Sequence, residues 1–459
     1  MSALFGLFAP SSEAAPIQDD GRIDALYRRH RFRVLTAITL GYGLSYTCRL
    51  AIGVVKKPLL DQGIFTAGEL GTIGAALFYA YAFGKLFNGF LADHANVRRF
   101  LAFGIAGSAL CNLGMGFSTH VWPAALLWGL NGWFQSFGAP ACVVAMTAWF
   151  SNRERGRAYG IWSTSHSIGE GLTFLVVGGL VGGLALGGRQ LIPALGWRAG
   201  YLGPAILCLG VAGLAYLWIR EPPKTLGLPA VADYKNDHWQ GPGAADKSQT
   251  LILTQLSILK LPAVWIIALA SAMAYVTRYA MNSWGVLYLQ AERGYSLPAA
   301  GSLMFLSTVA GVVGALSFGY ISDVVFKARR PPANLMFGLI ELAGLGLVFY
   351  GPTNTAVLAA GMVLFGLGMT GLTTSVGGLF ATDICPKRAV GAVLGLMGVV
   401  SYLGAAIQEQ VSGHLLDRGM TMAAGVRHYD FSAAIAFWIG TSVVSLVLAA
   451  TLWRVKLRD

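Results

Sequence analysis

A dozen apolar runs, each about as long as a bilayer is thick, constrain this chain more than any other feature. They fall at residues 34–55, 70–92, 100–119, 121–149, 158–185, 199–219, 262–290, 298–321, 333–350, 355–381, 389–415 and 431–453. About 20 apolar residues in a helix cross the hydrocarbon core. In lipid, a spanning segment must satisfy its own backbone hydrogen bonds, as a helix does. Twelve such runs predict an all-α membrane protein. Composition agrees: 55% of the 459 residues are hydrophobic and 12% are charged, about half the charged share of a soluble domain. The 60 glycines suit helices that pack by close backbone approach.

A net charge of +12 raises the question of nucleic acid, but the basic residues are spread through the loops and alternate in density. One side collects 23 of the 33 Lys and Arg residues: Arg22, Arg28, Arg29, Arg31 and Arg33 of an N-terminal arm, Arg98 and Arg99, Arg153, Arg155 and Arg157, the linker residues Arg220 to Lys260, Lys327, Arg329 and Arg330, Lys387 and Arg388, and Arg454, Lys456 and Arg458. The other side has seven, with Lys56 and Lys57 counted among them. The positive-inside rule then predicts cytoplasmic termini and a multi-pass protein of the inner (plasma) membrane. The N-terminus lacks a basic stretch before an apolar core, so no cleaved signal is expected. The five cysteines sit in or beside apolar spans without CxxC spacing and read as small membrane residues. No cofactor, metal cluster, nucleotide loop or nucleophile–base set is apparent, which argues against an enzyme.

The polar stretch at 220–261 divides the chain into an arm (1–33), a six-helix lobe (34–219), a linker and a second lobe (262–454). Internal repetition supports the division. Gly89-Phe90-Leu91-Ala92-Asp93 with Arg98-Arg99 recurs as Gly319-Tyr320-Ile321-Ser322-Asp323 with Arg329-Arg330, 230 residues later. Arg157-Ala158-Tyr159-Gly160 recurs as Arg388-Ala389-Val390-Gly391, at an offset of 231. The Gly-x-x-x-Asp…Arg-Arg loop in both halves resembles the signature of the major facilitator superfamily. That resemblance implies two pseudo-symmetric six-helix lobes around a site near mid-membrane. It also implies a gating role for Asp93, Arg98, Arg99 and Asp323.

Three basic residues, Arg49, Lys85 and Arg278, fall inside predicted spans, where ionisable groups are costly and are functional by default. Arg49 and Arg278 are 229 residues apart, which is the repeat offset again, so their guanidiniums should face each other across a central cavity. Paired guanidiniums bind phosphate or carboxylate by forked hydrogen bonds and stay charged at any relevant pH. The alternative is that each snorkels or pairs with a helix carbonyl. Tyr42 and Tyr46 precede Arg49 by seven and three residues, and Tyr275 precedes Arg278 by three, on shared helix faces. Lys85 reads equally as cavity lining or as a lysine snorkelling to the basic surface. His166 in the fifth span is a structural histidine or a group that senses substrate charge.

These residues extend the resemblance to one family. Tyr-x-x-Arg in the first span, Gly132-Trp133-Phe134-Gln135-Ser136-Phe137-Gly138 with Pro140, Trp149 with Arg153-Glu154-Arg155-Gly156, the His166 segment, Leu226-Gly227-Leu228-Pro229, Arg278 with Trp284, and Tyr402-Leu403-Gly404 resemble the organophosphate:phosphate antiporters and their sugar-phosphate sensor relatives. The resemblance implies phosphoryl binding by Arg49 and Arg278, with His166, Lys85, Tyr42, Tyr46, Tyr275, Tyr402 and Gln135 lining the site. Two departures stand out. Leu50 replaces the lysine that commonly follows the first-span arginine, and Glu170 and Glu409 add carboxylates. Each carboxylate would pair with a cavity cation, carry a proton, bind an amino or hydroxyl group, or serve as a structural hydrogen-bonder.

The sequence thus predicts a monomeric transporter of a phosphate ester in exchange for inorganic phosphate, lodged in the lipid bilayer. Two alternatives stay open: a sugar-phosphate sensor acting on a histidine kinase, and a proton-coupled carrier of another organic anion.

Overall fold

The computed structural model describes residues 8–186, 189–238, 258–385, 390–423 and 426–453. Lys247, the Lys387-Arg388-Ala389 stretch, Arg454, Lys456 and Arg458 lie outside the described residues. The chain crosses the bundle twelve times, through α1 (Asp20–Asp61), α2 (Ala67–His94), α3 (Val97–Met115), α4 (Val121–Gln135, resuming as Gly138–Trp149), α5 (Asn152–Gly182), α6 (Ala199–Trp218), α7 (Pro262–Ala291), α8 (Leu297–Tyr320), α9 (Arg330–Tyr350), α10 (Thr355–Thr374, continuing to Ile384), α11 (Val390–Arg418) and α12 (Ser432–Thr451). Nine of these combine the length and hydropathy of a membrane span. The other three fall short for local reasons: α3 opens on Arg98-Arg99, α4 is interrupted at Ser136-Phe137, and α5 carries Ser165-His166-Ser167 and Glu170 in its middle as well as four charges in its first turns.

Helix ends follow their local chemistry. Thr66 and Glu69 form a capping box that starts α2, and proline stands in the first turn of α7, α8 and α9, where its missing N–H costs nothing. The first helix begins at Asp20, well before the apolar run, so much of the arm is a polar extension of α1.

The repeat is visible in the packing. A Cβ on Gly132 of α4 would lie 2.1 Å from the Leu77 carbonyl oxygen of α2, and one on Gly366 of α10 would lie 1.9 Å from the Ser307 carbonyl oxygen of α8. Both helix pairs therefore touch backbone to backbone at corresponding places, which only glycine permits. Two hairpins correspond as well. β1 (Leu184–Leu186) pairs with β2 (Arg189–Ile192) after α5, and β3 (Met420–Ala423) pairs with β4 (Val426–Tyr429) after α11.

The lobes meet tightly on the face opposite the termini. Asp417 of α11 accepts hydrogen bonds from the first N–H groups of α2, Ala67 at 2.9 Å and Gly68 at 2.7 Å. A carboxylate at a helix N-terminus is favoured by unpaired amides and by the helix dipole. Arg427 donates to the Leu60 carbonyl at 3.2 Å, and a Cβ on Gly71 would lie 2.5 Å from the Glu409 carbonyl oxygen. Toward the termini, Gly156 and Gly160 of α5 and Gly391 and Gly395 of α11 meet no neighbouring atom.

On the termini-bearing face, the arm and the linker form a platform beneath the first lobe. Tyr27 stacks on Tyr234 at 3.8 Å and donates to the Pro229 carbonyl at 2.5 Å. Ser11 binds Glu221 through both its N–H and its hydroxyl. Asp237 accepts the Arg153 N–H at 3.1 Å, and that bond holds its carboxyl below the usual range.

Candidate functional site: a tyrosine-caged arginine between the lobes

Arg49 lies within α1 and is 2% exposed. Four tyrosine rings from both lobes surround its guanidinium carbon: Tyr81 of α2 at 4.1 Å, Tyr402 of α11 at 5.2 Å, Tyr46 of α1 at 5.3 Å and Tyr279 of α7 at 6.0 Å. Each contact of this kind contributes about 0.5–2 kcal/mol, more where water is excluded. The Arg49 Nη2 donates to the Tyr279 hydroxyl at 3.3 Å, and that hydroxyl donates to Tyr402 at 3.5 Å. The Arg49 Nε is buried without a hydrogen-bond partner, and no carboxylate pairs with this cation among the described residues. A buried guanidinium held by π faces, with a donor to spare, has the chemistry to receive an anion.

Arg278 of α7 is differently placed. Its Nη2 donates to Glu170 Oε2 of α5 at 3.1 Å, so a carboxylate from the other lobe already neutralises it. Asn282, one turn further along α7, lines two small cavities. One holds Arg278, Glu170, Ser167, Ser307 and Thr370 around about 20 Å³ of free space, and the other holds Arg49, Phe78, Tyr279, Ser283 and Glu409 around about 10 Å³, each room for about one water. The two arginines thus border adjoining cavities that share Asn282.

The other expected residues divide. Tyr275 packs 5.5 Å from Tyr402, Lys85 points its Nζ at the same Tyr402 ring from 5.2 Å, and Tyr42 reaches the cage through Tyr46 at 5.6 Å. His166 lies 6.3 Å from the Tyr46 ring. Gln135 sits apart from both arginine cavities. Its amide nitrogen is committed to the Ser45 carbonyl at 2.9 Å and Ser108 Oγ at 2.7 Å, which ties α4 to α1 and α3. Glu409 pairs with Lys56 at 3.0 Å. At the termini-bearing face, Asp323 meets Arg330 at 2.5 Å, and Arg330 also binds Asp383 at 2.7 Å. Arg98 packs over the Tyr216 ring at 4.0 Å and donates to its carbonyl. Asp93 is exposed at the end of α2, and the Arg99 N–H caps onto Asn96 at 3.1 Å.

One expectation is corrected. Lys56, counted with the loop residues of the sparsely charged side, lies inside α1 and is wholly buried. Its Nζ binds Glu409 Oε2 at 3.0 Å and Ser283 Oγ at 2.6 Å, and stands 3.2 Å from the Trp284 ring centroid. The physical reason is that α1 runs on to Asp61 and the second lobe covers its end. Sequence reasoning also passed over Tyr81, Tyr279, Asn282 and Glu341. The last is a fully buried carboxylate of α9 that accepts from Ser442 at 2.6 Å.

Known proteins place this architecture. The family model for the Major Facilitator Superfamily matches residues 38–408. The chain belongs to the major facilitator superfamily. It is 32% identical over 452 residues to the membrane sensor protein UhpC of Salmonella typhimurium, covering 96% of each chain. It is 30% identical over 469 residues to the glycerol-3-phosphate transporter of Bacillus subtilis, covering 98% of each. These relatives place it in the organophosphate:phosphate antiporter branch of the superfamily. Among solved structures, a bacterial homologue of the human lysosomal transporter Spinster, inward-facing and unoccupied, aligns with a TM-score of 0.71 at 18% identity, covering 92% of this chain and 96% of that one. This likeness establishes the shared fold of a multi-pass membrane protein.

Proposed function

We propose that this superfamily member carries an organic phosphate ester across the inner membrane in exchange for inorganic phosphate, by alternating access, with the phosphoryl group held by Arg49 and Arg278. The carrying observation is the Arg49 cage: a buried, carboxylate-free guanidinium ringed by tyrosines from both lobes. Phenolic hydroxyls and the nearby Lys85 supply further donors for phosphate oxygens. With the termini cytoplasmic, the contacts of Asp417 and Arg427 seal the outward face, as an inward-facing carrier requires. An anion bridging Arg49 and Arg278 would draw α1 and α7 together, and binding energy that differs between conformations is what shifts a carrier between them.

The relative named as a membrane sensor favours a second reading, in which the same site detects an external phosphate ester and signals to a histidine kinase. Reconstituted protein in liposomes loaded with inorganic phosphate separates them. A transporter exchanges labelled external phosphate for internal phosphate and does so less when a phosphate ester competes. A sensor binds the ester with little flux. In either case the protein binds a small molecule as a monomer, and no chemical conversion of the ester is expected.

A further inference from the structure

Four arginines gather at one corner of the termini-bearing face. Arg29 and Arg33 stand one turn apart on α1, Arg98 opens α3, and Arg220 follows the end of α6. Short contacts draw these helices together. Arg98 lies 4.0 Å over the Tyr216 ring and directs its Nε to the Tyr216 carbonyl. The Trp149 indole donates to the Arg220 carbonyl at 3.1 Å and packs 5.6 Å from the ring of His30, the neighbour of Arg29. Burial, then Arg98, Arg33 and Arg29, hold the Arg220 guanidinium below its usual range. Other basic residues of this face have acidic partners: Arg31 and Lys235 share Glu154, Lys224 meets Glu13, and Arg330 binds Asp323 and Asp383. Among the described residues, no carboxylate pairs with any of the four. Glu221, beside Arg220, is occupied by Ser11 and Asn96.

The corner also borders lipid. Leu40 is 43% exposed within the apolar run of α1, and Arg33 and Arg29 precede it by seven and eleven residues on the same helix stripe. Leu217, in the last turn of α6, is 60% exposed, and Tyr216 beside it is 43% exposed. Arg33 and Arg220 therefore stand where these two spans leave the hydrocarbon, at headgroup depth. We propose that this corner binds the phosphodiester of an anionic phospholipid, of the phosphatidylglycerol kind, from the leaflet on the termini-bearing side. Guanidinium forks match phosphate oxygens, and the acyl chains lie along the faces that carry Leu40 and Leu217. The lipid neutralises the cluster and fastens the arm to the ends of α3 and α6. All four arginines flank the first lobe, away from the site between the lobes, so the inference is independent of what Arg49 and Arg278 carry.

The test is native mass spectrometry of the full-length protein in detergent with phosphatidylglycerol or phosphatidylcholine, paired with melting temperatures. The wild type should retain phosphatidylglycerol at least about tenfold more strongly than phosphatidylcholine. Arg33→Gln and Arg220→Gln should each weaken that retention about fivefold, the usual effect of one basic residue at an anionic membrane surface, and Arg220→Lys should fall between. In lipid-free detergent the two glutamine variants should melt no lower than wild type, because they relieve repulsion, and phosphatidylglycerol should raise their melting temperature less. Arg28→Gln, whose native charge acts on Tyr234 of the linker instead, should change retention by less than about twofold. Equal retention of the two lipids would overturn the site. Equal losses in Arg28→Gln and Arg33→Gln would overturn it too, since they mark a diffuse basic surface. Displacement of phosphatidylglycerol by inorganic phosphate, but not by chloride at the same ionic strength, would overturn the lipid as occupant in favour of a soluble anion.

Discussion

Lys56 of α1 and Glu409 of α11 form a wholly buried ion pair that joins the two lobes, 3.0 Å apart, with Ser283 and the Trp284 ring completing the lysine's surroundings. The pair sits in the sealed half of the lobe interface. The pair can form only while the lobes are closed there, which would make it a latch on this conformation.

Breaking one partner strands the other. Removing half of a buried ion pair costs about 3–5 kcal/mol, whereas replacing both halves with apolar groups is often neutral. Lys56→Met and Glu409→Gln should each loosen the sealed face and slow exchange, and Lys56→Met combined with Glu409→Met should recover much of the loss. The readout is labelling of a cysteine introduced near Asp417 from the side opposite the termini. Equal labelling of wild type and both single variants would count against the latch.

The cross-lobe cap is a milder version of the same device. Asp417 accepts from the Ala67 and Gly68 amides, and losing a helix cap costs about 0.5–2 kcal/mol. Asp417→Ala should shift the population toward opening at that face by less than the Lys56 or Glu409 single variants do, as measured by the same labelling.

Glu170 occupies Arg278 as an internal anion, so cargo must compete with it. Glu170→Gln should tighten binding of inorganic phosphate several-fold and lower turnover, because the bound anion then has no competitor to release it. Binding and flux measured on one preparation check this. Weaker phosphate binding in the variant would show that Glu170 positions Arg278 instead of competing for it.

The helix contacts make a prediction about stability alone. A Cβ at Gly366 meets the Ser307 carbonyl at 1.9 Å, in backbone that has no side chain to move aside. Gly366→Ala should cost about 1–3 kcal/mol by overpacking, seen as a lower melting temperature in detergent. Gly89→Ala, where a Cβ meets nothing, should leave it unchanged.

What the sequence made legible follows from periodicity and symmetry. Apolar length fixed the number of crossings, and one offset near 230 linked the Asp-Arg loops and the two arginines. The same offset leads from Arg49 to Tyr279, its hydrogen-bond partner, a correspondence overlooked because Arg278 was the more conspicuous neighbour. Lys56 was missed because an apolar count ends a span at a charged doublet followed by proline, here Lys56-Lys57-Pro58, whereas a helix continues until its backbone is capped. The signal for it was indirect: Glu409 in an apolar span requires a counter-charge. The break in α4 and the commitment of Gln135 to Ser45 and Ser108 depend on which helices are neighbours, and residue spacing along one chain does not encode that.

The central claim is that Arg49 and Arg278 hold the phosphoryl group, and the most direct measurement is phosphate binding to purified, folded Arg49→Lys and Arg278→Lys proteins. Lysine keeps the charge but loses the planar fork of donors. Each variant should retain a near-wild-type melting temperature, lose phosphate binding by at least about tenfold, and lose phosphate exchange in liposomes. Phosphate affinity within twofold of wild type in either variant would contradict it.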